Sequence, residues 1–579
     1  IHIYHLIGLM LRGKICFGDY FRINCWQETC VMSDNTSKNK ERRASGFAAQ
    51  AAILAGAGIV SRIIGVLYRS PLFHIIGDEG NGYYGSAYAI YAMILMISTY
   101  SIPTAVSKII SGKLAMKEYK SARQVFKCAL VYVAVVGAIA AGLTYIFAPV
   151  LVKEQPNALP CMKLFAPTIF LAGFLGVFRG YLQAYNTMVP TSISQIIEQL
   201  VNAVVSVVAA YFFSLPFTKG TTEYAMHGAQ GSALGTGMGV VAGLIFILIA
   251  YGSRRKEIMK TVEMDTKHEE ESYTRLLKQI FFIVTPIIIA SFVYNITTTV
   301  DMKIFYGILN TKHVDTVYSA NMYGIFSGQY TVLINLPVSI ASAVGTALIP
   351  SISAEYTKGD KKSAEKVFNQ SLSMTMIVTI PCAVGMAVLA EPVVQLLFRG
   401  ATKTASSALT AGAIAVVFYA MSTVTNSVLQ GIGKVMAPVI NSAFALVIHI
   451  IILVPILFAT ELNIYALVIG TVVYSFIMCV LNGISVKKSI GATMDVKKIF
   501  VAPAIASLFM GIAAWGSYQL IYRIVHINSV SLIIAVIIAI VFYFMCILGL
   551  GVYKEEDLLR LPKGNLVVKL AKKLHMLRD

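Results

Sequence analysis

The sequence predicts an all-α polytopic membrane protein with fourteen transmembrane helices. Two parallel six-helix repeats form N- and C-lobes around a central cavity, and two extra C-terminal helices follow. Three observations predict it. Hydrophobic residues make up 57% of the 579 positions and charged residues only 13%, against about 25% charged in soluble domains. Apolar runs of about 20 residues, each able to cross ~30 Å of hydrocarbon, recur fourteen times. Finally, sequence anchors in the first half return in the same order in the second.

Taken in order, residues 1–31 read as upstream sequence translated from a wrong start. Three of the eight cysteines lie there, and Arg12, Lys14, Asp19 and Arg22 leave no clean apolar signal-peptide core. Met32 opens a polar, basic, cytoplasmic lead-in over 32–46. The N-lobe occupies 47–252, with spans near 47–69, 83–110, 128–152, 159–184, 188–213 and 228–252. A linker of mixed charge, 253–278, carries Arg254, Arg255 and Lys256 followed by Glu269, Glu270 and Glu271. It reads as a cytoplasmic, solvated connection with an amphipathic surface helix. The C-lobe, 279–486, holds spans near 279–307, 321–350, 367–397, 407–430, 436–460 and 462–485. Residues 499–553 supply two further spans. The tail 554–579 interleaves Lys and Arg with Leu and Val, as a cytoplasmic helix on anionic lipid does.

Orientation follows from the connections. Lys38–Arg43, Lys113–Lys127, Arg254–Lys278, Lys358–Lys366, Lys487–Lys498 and Lys554–Arg578 are basic, and the alternate set is short or mixed. Positive-inside bias therefore predicts both termini in the cytoplasm. The same distribution explains the formal net charge of +19 without nucleic acid.

The duplication rests on three anchors. Lys120-Ser121-Ala122 through Val125-Phe126 returns as Lys362-Ser363-Ala364 through Val367-Phe368. Leu182-Gln183 with Pro190 returns as Leu429-Gln430 with Pro438, and Leu234-Gly235-Thr236 as Ile469-Gly470-Thr471. Matching loops fall on the same basic side, so the repeats are parallel and related by an axis along the membrane normal.

No enzyme signature is present. Gly231, Gly235 and Gly239 form a small-residue ridge for helix packing rather than a nucleophile elbow. No phosphate-cradling GxxxxGK[ST] occurs, so work must come from ion gradients (Na⁺ or H⁺), membrane potential or substrate consumption. No cofactor is implied. The cysteines suggest neither a disulfide framework nor a zinc site.

The informative residues are polar ones inside apolar runs. Arg62 and Arg69, seven apart, share one helix face. An arginine at mid-bilayer costs about 2.5–3.5 kcal/mol on insertion scales, so each either snorkels to a surface or lines a polar path. Arg69, just before Pro71, sits at the outer boundary. Lys108 and Gln183 join the candidate cavity wall. Arg179 either caps its helix or faces the cavity. Glu198 and Asn202, one turn apart, are expected to satisfy each other. In the second half, Asp301 with nearby hydroxyls and amides is a candidate to hold Na⁺ or a proton, with Asn441 as a candidate partner. Cationic and amide groups dominate the first-half set, which favours an anionic substrate. Phosphate or pyrophosphate suits guanidinium forks best.

Several stretches resemble the MATE-like exporter superfamily, in its polysaccharide-export, stage V sporulation protein B-like branch. They are Ser61-Arg62-Ile63-Ile64-Gly65, Arg69, Ile76-Gly77-Asp78-Glu79-Gly80, Tyr84, Ile102-Pro103-Thr104-Ala105-Val106-Ser107-Lys108, Asn335-Leu336-Pro337 and Ala347-Leu348-Ile349-Pro350. Within that branch the chain is most similar to the Firmicute lipid II flippases. The resemblance implies alternating-access translocation of lipid II, or a related undecaprenyl-pyrophosphate glycan, to the outer leaflet of the bacterial cell membrane for peptidoglycan synthesis. It implies membrane lipids and cell-wall synthesis enzymes as partners. Arg62 and Arg69 would match the family's cavity arginines, and spans 13 and 14 its lipid-tail groove. Val332 stands where flippases of the Gram-negative type carry an arginine, and Arg69 is displaced by one residue. The alternatives are a cation-coupled multidrug exporter and a non-transporting scaffold.

Overall fold

The computed structural model describes residues 53–54, 56–96, 102–185, 187–265 and 271–550. The expectations for 1–46 and for the tail beyond 550 lie outside them. The described chain is helical throughout, with no strand among those residues. Among the described residues ten helices are long and apolar enough to cross a membrane, or up to twelve if each of two bent pairs counts as one span.

In the first half, α1 (Gly56–Leu67) leads into α2 (Arg69–Met96) across a 52° bend. Then come α3 (Ile102–Ala115), α4 (Tyr119–Ile146), α5 (Leu159–Ala184), α6 (Val189–Ser214) and α7 (Thr222–Glu263). The second half holds α8 (Tyr273–Thr311) and α9 (Thr316–Gly324), which passes through a π-turn, Ile325–Tyr330, into α10 (Thr331–Thr357). It continues with α11 (Lys361–Val388), α12 (Ala390–Leu397), α13 (Lys403–Gly412), α14 (Ala415–Gly431), α15 (Met436–Ala459) and α16 (Ile464–Ile490). Two last helices are α17 (Ala502–Val525) and α18 (Asn528–Gly549).

Two expectations change. The turn between the first two spans was expected over about 70–82. Instead helix runs through it, broken only at Gly77, whose φ of 65° and ψ of −170° kink the chain in one residue. That left-handed φ suits glycine, which has no Cβ to clash. Arg69 therefore lies within helix, eight residues before the break. The linker is also mostly helical, since α7 continues to Glu263 and α8 begins at Tyr273.

Apolar side chains point outward as well as inward. Val131, Val135 and Ile139 on α4, Val204 and Phe212 on α6, and Ile533 and Ile537 on α18 are all exposed. In water such faces would be costly, whereas against lipid tails they are not. With ten or more such helices, the chain is a multi-pass membrane protein.

The expected glycine ridge packs α7 onto α6. A Cβ at Gly231 would meet the Ala209 backbone at 2.5 Å, and one at Gly239 the Glu198 carbonyl oxygen at 2.6 Å. Between the halves, the end of the molecule marked by Gly77 is closed by backbone-to-backbone contact of α2 with α9. A Cβ at Gly82 would run into the Ala320 carbonyl, and one at Gly324 into the carbonyl of Asp78. Among the side chains bridging this seam, Gln329 Nε2 donates to Asp78 Oδ1 at 2.5 Å and Ser86 Oγ donates to Tyr306 at 3.1 Å. Lys303 Nζ donates to the Leu151 carbonyl and pairs with Glu154 at 3.1 Å. At the opposite end, Lys113 on α3 pairs with Glu118 and Glu271, and the Glu271 N–H donates to Gln124.

Candidate functional site

Arg62 rises from α1 toward the other half. Its Nη1 donates to the Asn335 carbonyl oxygen at 3.2 Å. Asn335 opens the Asn335-Leu336-Pro337 step of α10, in the second half of the chain. The guanidinium therefore lies where the two halves face each other. Arg69, two helical turns along, is half-buried and within electrostatic reach of the Tyr84 hydroxyl. Among the described residues it makes no hydrogen bond or ion pair.

Arg179 has a different fate from either expected one. Only 4% exposed, its Nε donates to Ser194 Oγ at 2.9 Å and its Nη2 pairs with Glu198 at 2.8 Å. It thus ties α5 to α6 instead of capping a helix or facing the interlobe space. Glu198 is consequently not the partner of Asn202. Asn202 Oδ1 accepts from Ser206 at 2.8 Å and from Thr236 at 3.5 Å. Gln183 donates to Thr191 at 3.3 Å, a local tie between α5 and α6. Lys108 is exposed on α3.

In the second half Asn441 is not the partner of Asp301. It donates to Asn482 at 2.8 Å and to Ser485 at 3.0 Å. Asp301 on α8 is bound instead by His449 on α15, with Nε2 to Oδ1 at 2.5 Å. His449 is fully buried, and the sequence does not point to it, because a lone histidine in an apolar run carries no periodic signal. No group of three or more His, Cys, Asp or Glu that could hold a metal occurs among the described residues.

Helices α17 and α11 frame a groove of about 950 Å³ lined by Val384, Val388, Leu508, Phe509, Ile512 and Trp515. Its lining is apolar, so it suits a hydrocarbon chain better than a polar headgroup.

Residues 113–523 match the family model described as lipid II flippase MurJ. The lipid II flippase MurJ of Bacillus subtilis (strain 168) is 24% identical over 471 residues, which cover 78% of this chain and 85% of that one. Stage V sporulation protein B of the same organism is 22% identical over 525 residues, covering 89% and 98%. Among solved structures, lipid II flippase MurJ in an inward closed conformation is similar with a TM-score of 0.63 at 16% identity, over 85% of this chain and 97% of that one. An inward-facing multidrug resistance MATE family transporter of the MOP superfamily gives 0.59 at 15% identity, over 74% and 94%. These structural likenesses carry the fold.

Proposed function

The chain belongs to the lipid II flippase MurJ family, and on that premise we propose that it moves lipid II from the inner to the outer leaflet of a bacterial plasma membrane. Transport is by alternating access of the two lobes, for peptidoglycan synthesis. The observation that carries the substrate reading is Arg69, a half-buried guanidinium in an apolar helix with no carboxylate beside it among the described residues. An arginine so placed is expensive unless an anion meets it. Arg62, two turns away and reaching the other lobe, adds a second guanidinium fork. Lys108 supplies a further exposed cation. Arg179 is committed to Glu198 and Gln183 to Thr191, so both hold the N-lobe wall and neither contacts the headgroup. The prenyl tail lies along the α11–α17 groove, in keeping with its apolar lining.

In this reading the chain has fourteen spans, with α3 completing the second and α8 forming the seventh. Both termini are cytoplasmic and the Gly77 end faces outward. Cell-wall synthesis enzymes receive the product there, and ion gradients or membrane potential drive the cycle. Multidrug export is the weaker reading, because Arg62 and Arg69 repel cationic drugs and that function leaves the tail groove unexplained.

Complementation tests it. Arg62→Ala should insert normally yet fail to rescue a strain depleted of its lipid II flippase. Full rescue would remove Arg62 from the site. Failure of the unaltered chain to rescue, together with gained drug resistance, would favour the exporter.

A further inference from the structure

We propose that Asp301 and His449 form a proton-binding site, and that the bound proton holds the seam at the Gly77 end closed. The assignment follows from hydrogen-bond bookkeeping. His449 Nδ1 lies 2.9 Å from the Gly470 carbonyl oxygen and Nε2 lies 2.5 Å from Asp301 Oδ1. A carbonyl only accepts, so Nδ1 carries a hydrogen. A bare imine nitrogen facing a carboxylate at 2.5 Å would set lone pair against lone pair, so a second proton lies between Nε2 and Oδ1. Imidazolium with carboxylate and imidazole with carboxylic acid have the same proton count. Either way the pair holds one proton more than neutral imidazole plus carboxylate.

The surroundings make that proton costly to lose. His449 is 0% exposed and Asp301 5%, so deprotonation leaves a buried carboxylate facing a lone pair. The ring is seated by shape too, since a Cβ at residue 470 would lie 2.6 Å from His449 Cε1. The groups facing the pair are Tyr474 of α16, edge-on to His449 at 6.0 Å, and Tyr323 of α9, within electrostatic reach of Asp301. From α2 the contact with this stretch of α8 is the neutral Ala89 carbonyl, which accepts from Thr299 at 3.0 Å. Lys303 is engaged by Leu151 and Glu154. His449 is thus the one charged partner acting on Asp301 among the described residues. A sodium ion would need several oxygen ligands, and the position such an ion would take beside Oδ1 is filled by an imidazole nitrogen.

Helix α8 is where the proton meets the seam. Thr299 and Lys303, two residues either side of Asp301, grip the N-lobe through Ala89, Leu151 and Glu154. Asp301 itself grips α15 in the C-lobe. Holding the proton keeps α8, which grips the N-lobe at Thr299 and Lys303, fastened to α15 of its own lobe, and losing it turns the α8–α15 joint repulsive. The inference deepens the alternating-access reading and rests on it only for the consequence in transport.

The test uses the full chain in lipid nanodiscs, without lipid II, its native cysteines replaced. Spin labels go on Thr218→Cys and Thr402→Cys, both exposed in the α6–α7 and α12–α13 connections. The ratio of closed to open seam should fall as pH rises through the pair's midpoint, by up to about tenfold per pH unit for one linked proton. Sodium added at fixed pH should leave it unchanged. Asp301→Asn and His449→Gln should each reduce the pH response below about twofold. The exchange Asp301→His with His449→Asp should restore it. A pH-independent seam in the unaltered chain, a response to sodium in place of protons, or an undiminished response in both single variants would overturn the proposal. The first two outcomes are decisive even if the variants fail to fold. A pH-responsive seam in a chain that cannot rescue flippase depletion would instead refute the lipid II reading and leave the proton site standing.

Discussion

Replacing Gly324 by alanine probes whether the lobes must part along α2 and α9. The added methyl would run into the Asp78 carbonyl, and a backbone oxygen within a helix cannot swing aside as a side-chain tip does. Overpacking of this kind costs about 1–3 kcal/mol. The cost falls on the closed seam alone, because once α9 leaves α2 the methyl meets open space. The helix-propensity gain of alanine over glycine, about 1 kcal/mol, is present in both states and cancels in their ratio. The closed-to-open ratio should therefore fall about 5- to 150-fold. The Thr218→Cys and Thr402→Cys label pair reads it directly at one pH. Gly112→Ala is the control, since no atom lies within 4 Å of a Cβ there. A distance distribution for Gly324→Ala identical to that of the control would refute the reasoning, because it would mean that this contact does not change when the lobes move.

Three further perturbations separate support from site. Arg179→Ala leaves Glu198 without its partner, which for a buried pair costs about 3–5 kcal/mol; the side chain of Glu198 is 21% exposed, so the lower end is expected. Thermal unfolding in detergent should show it, with Arg179→Met plus Glu198→Leu recovering most of the loss. The Lys113 ammonium holds the Glu271 carboxyl below its ordinary 4.5. The stabilisation is full above that value and disappears as pH falls through the lowered folded value, so Glu271→Gln should flatten the acid limb of a stability–pH profile by about 0.2–1 kcal/mol. In the apolar groove, Trp515→Glu should weaken binding of a prenyl pyrophosphate to the purified chain about 10- to 100-fold, while Trp515→Leu leaves it near normal.

What could be read from the chain was what repeats along one element. Gly231, Gly235 and Gly239 are spaced at four, so a packing ridge was legible, whereas its partner, α6, was not. The helix break at Gly77 was blurred, because Asp78 and Glu79 look like an ordinary loop and a single left-handed residue has no periodicity. Partnerships across helices were illegible. Arg179 and Glu198 lie 19 positions apart, and Asp301 and His449 lie 148 apart. Asp301 was singled out for its cost in an apolar run, but cost names a need without naming what meets it. Asn441 answered the need on paper, and its amide is taken by Asn482 and Ser485.

That distinction between need and partner is what sorts the arginines. Arg62, Arg69 and Arg179 enter the membrane reading on equal terms, each carrying a charge whose burial costs several kcal/mol. Folding meets Arg179 with a carboxylate and a hydroxyl, which leaves it no spare capacity for a ligand. It leaves Arg69 half-buried, with no anion paired to it among the described residues. A charge that the fold compensates is structural, and a charge that it keeps accessible but uncompensated is held for something that arrives and leaves. A permanent internal carboxylate at Arg69 would make the helix cheaper to insert and would compete with every phosphate offered to it. In the proposed reading, the cost left at Arg69 favours taking up an anion from one side. On that reading the same guanidinium must later release the anion, and the closing of the seam at Gly324 and the proton proposed on His449 bear on transport as much as the arginine itself.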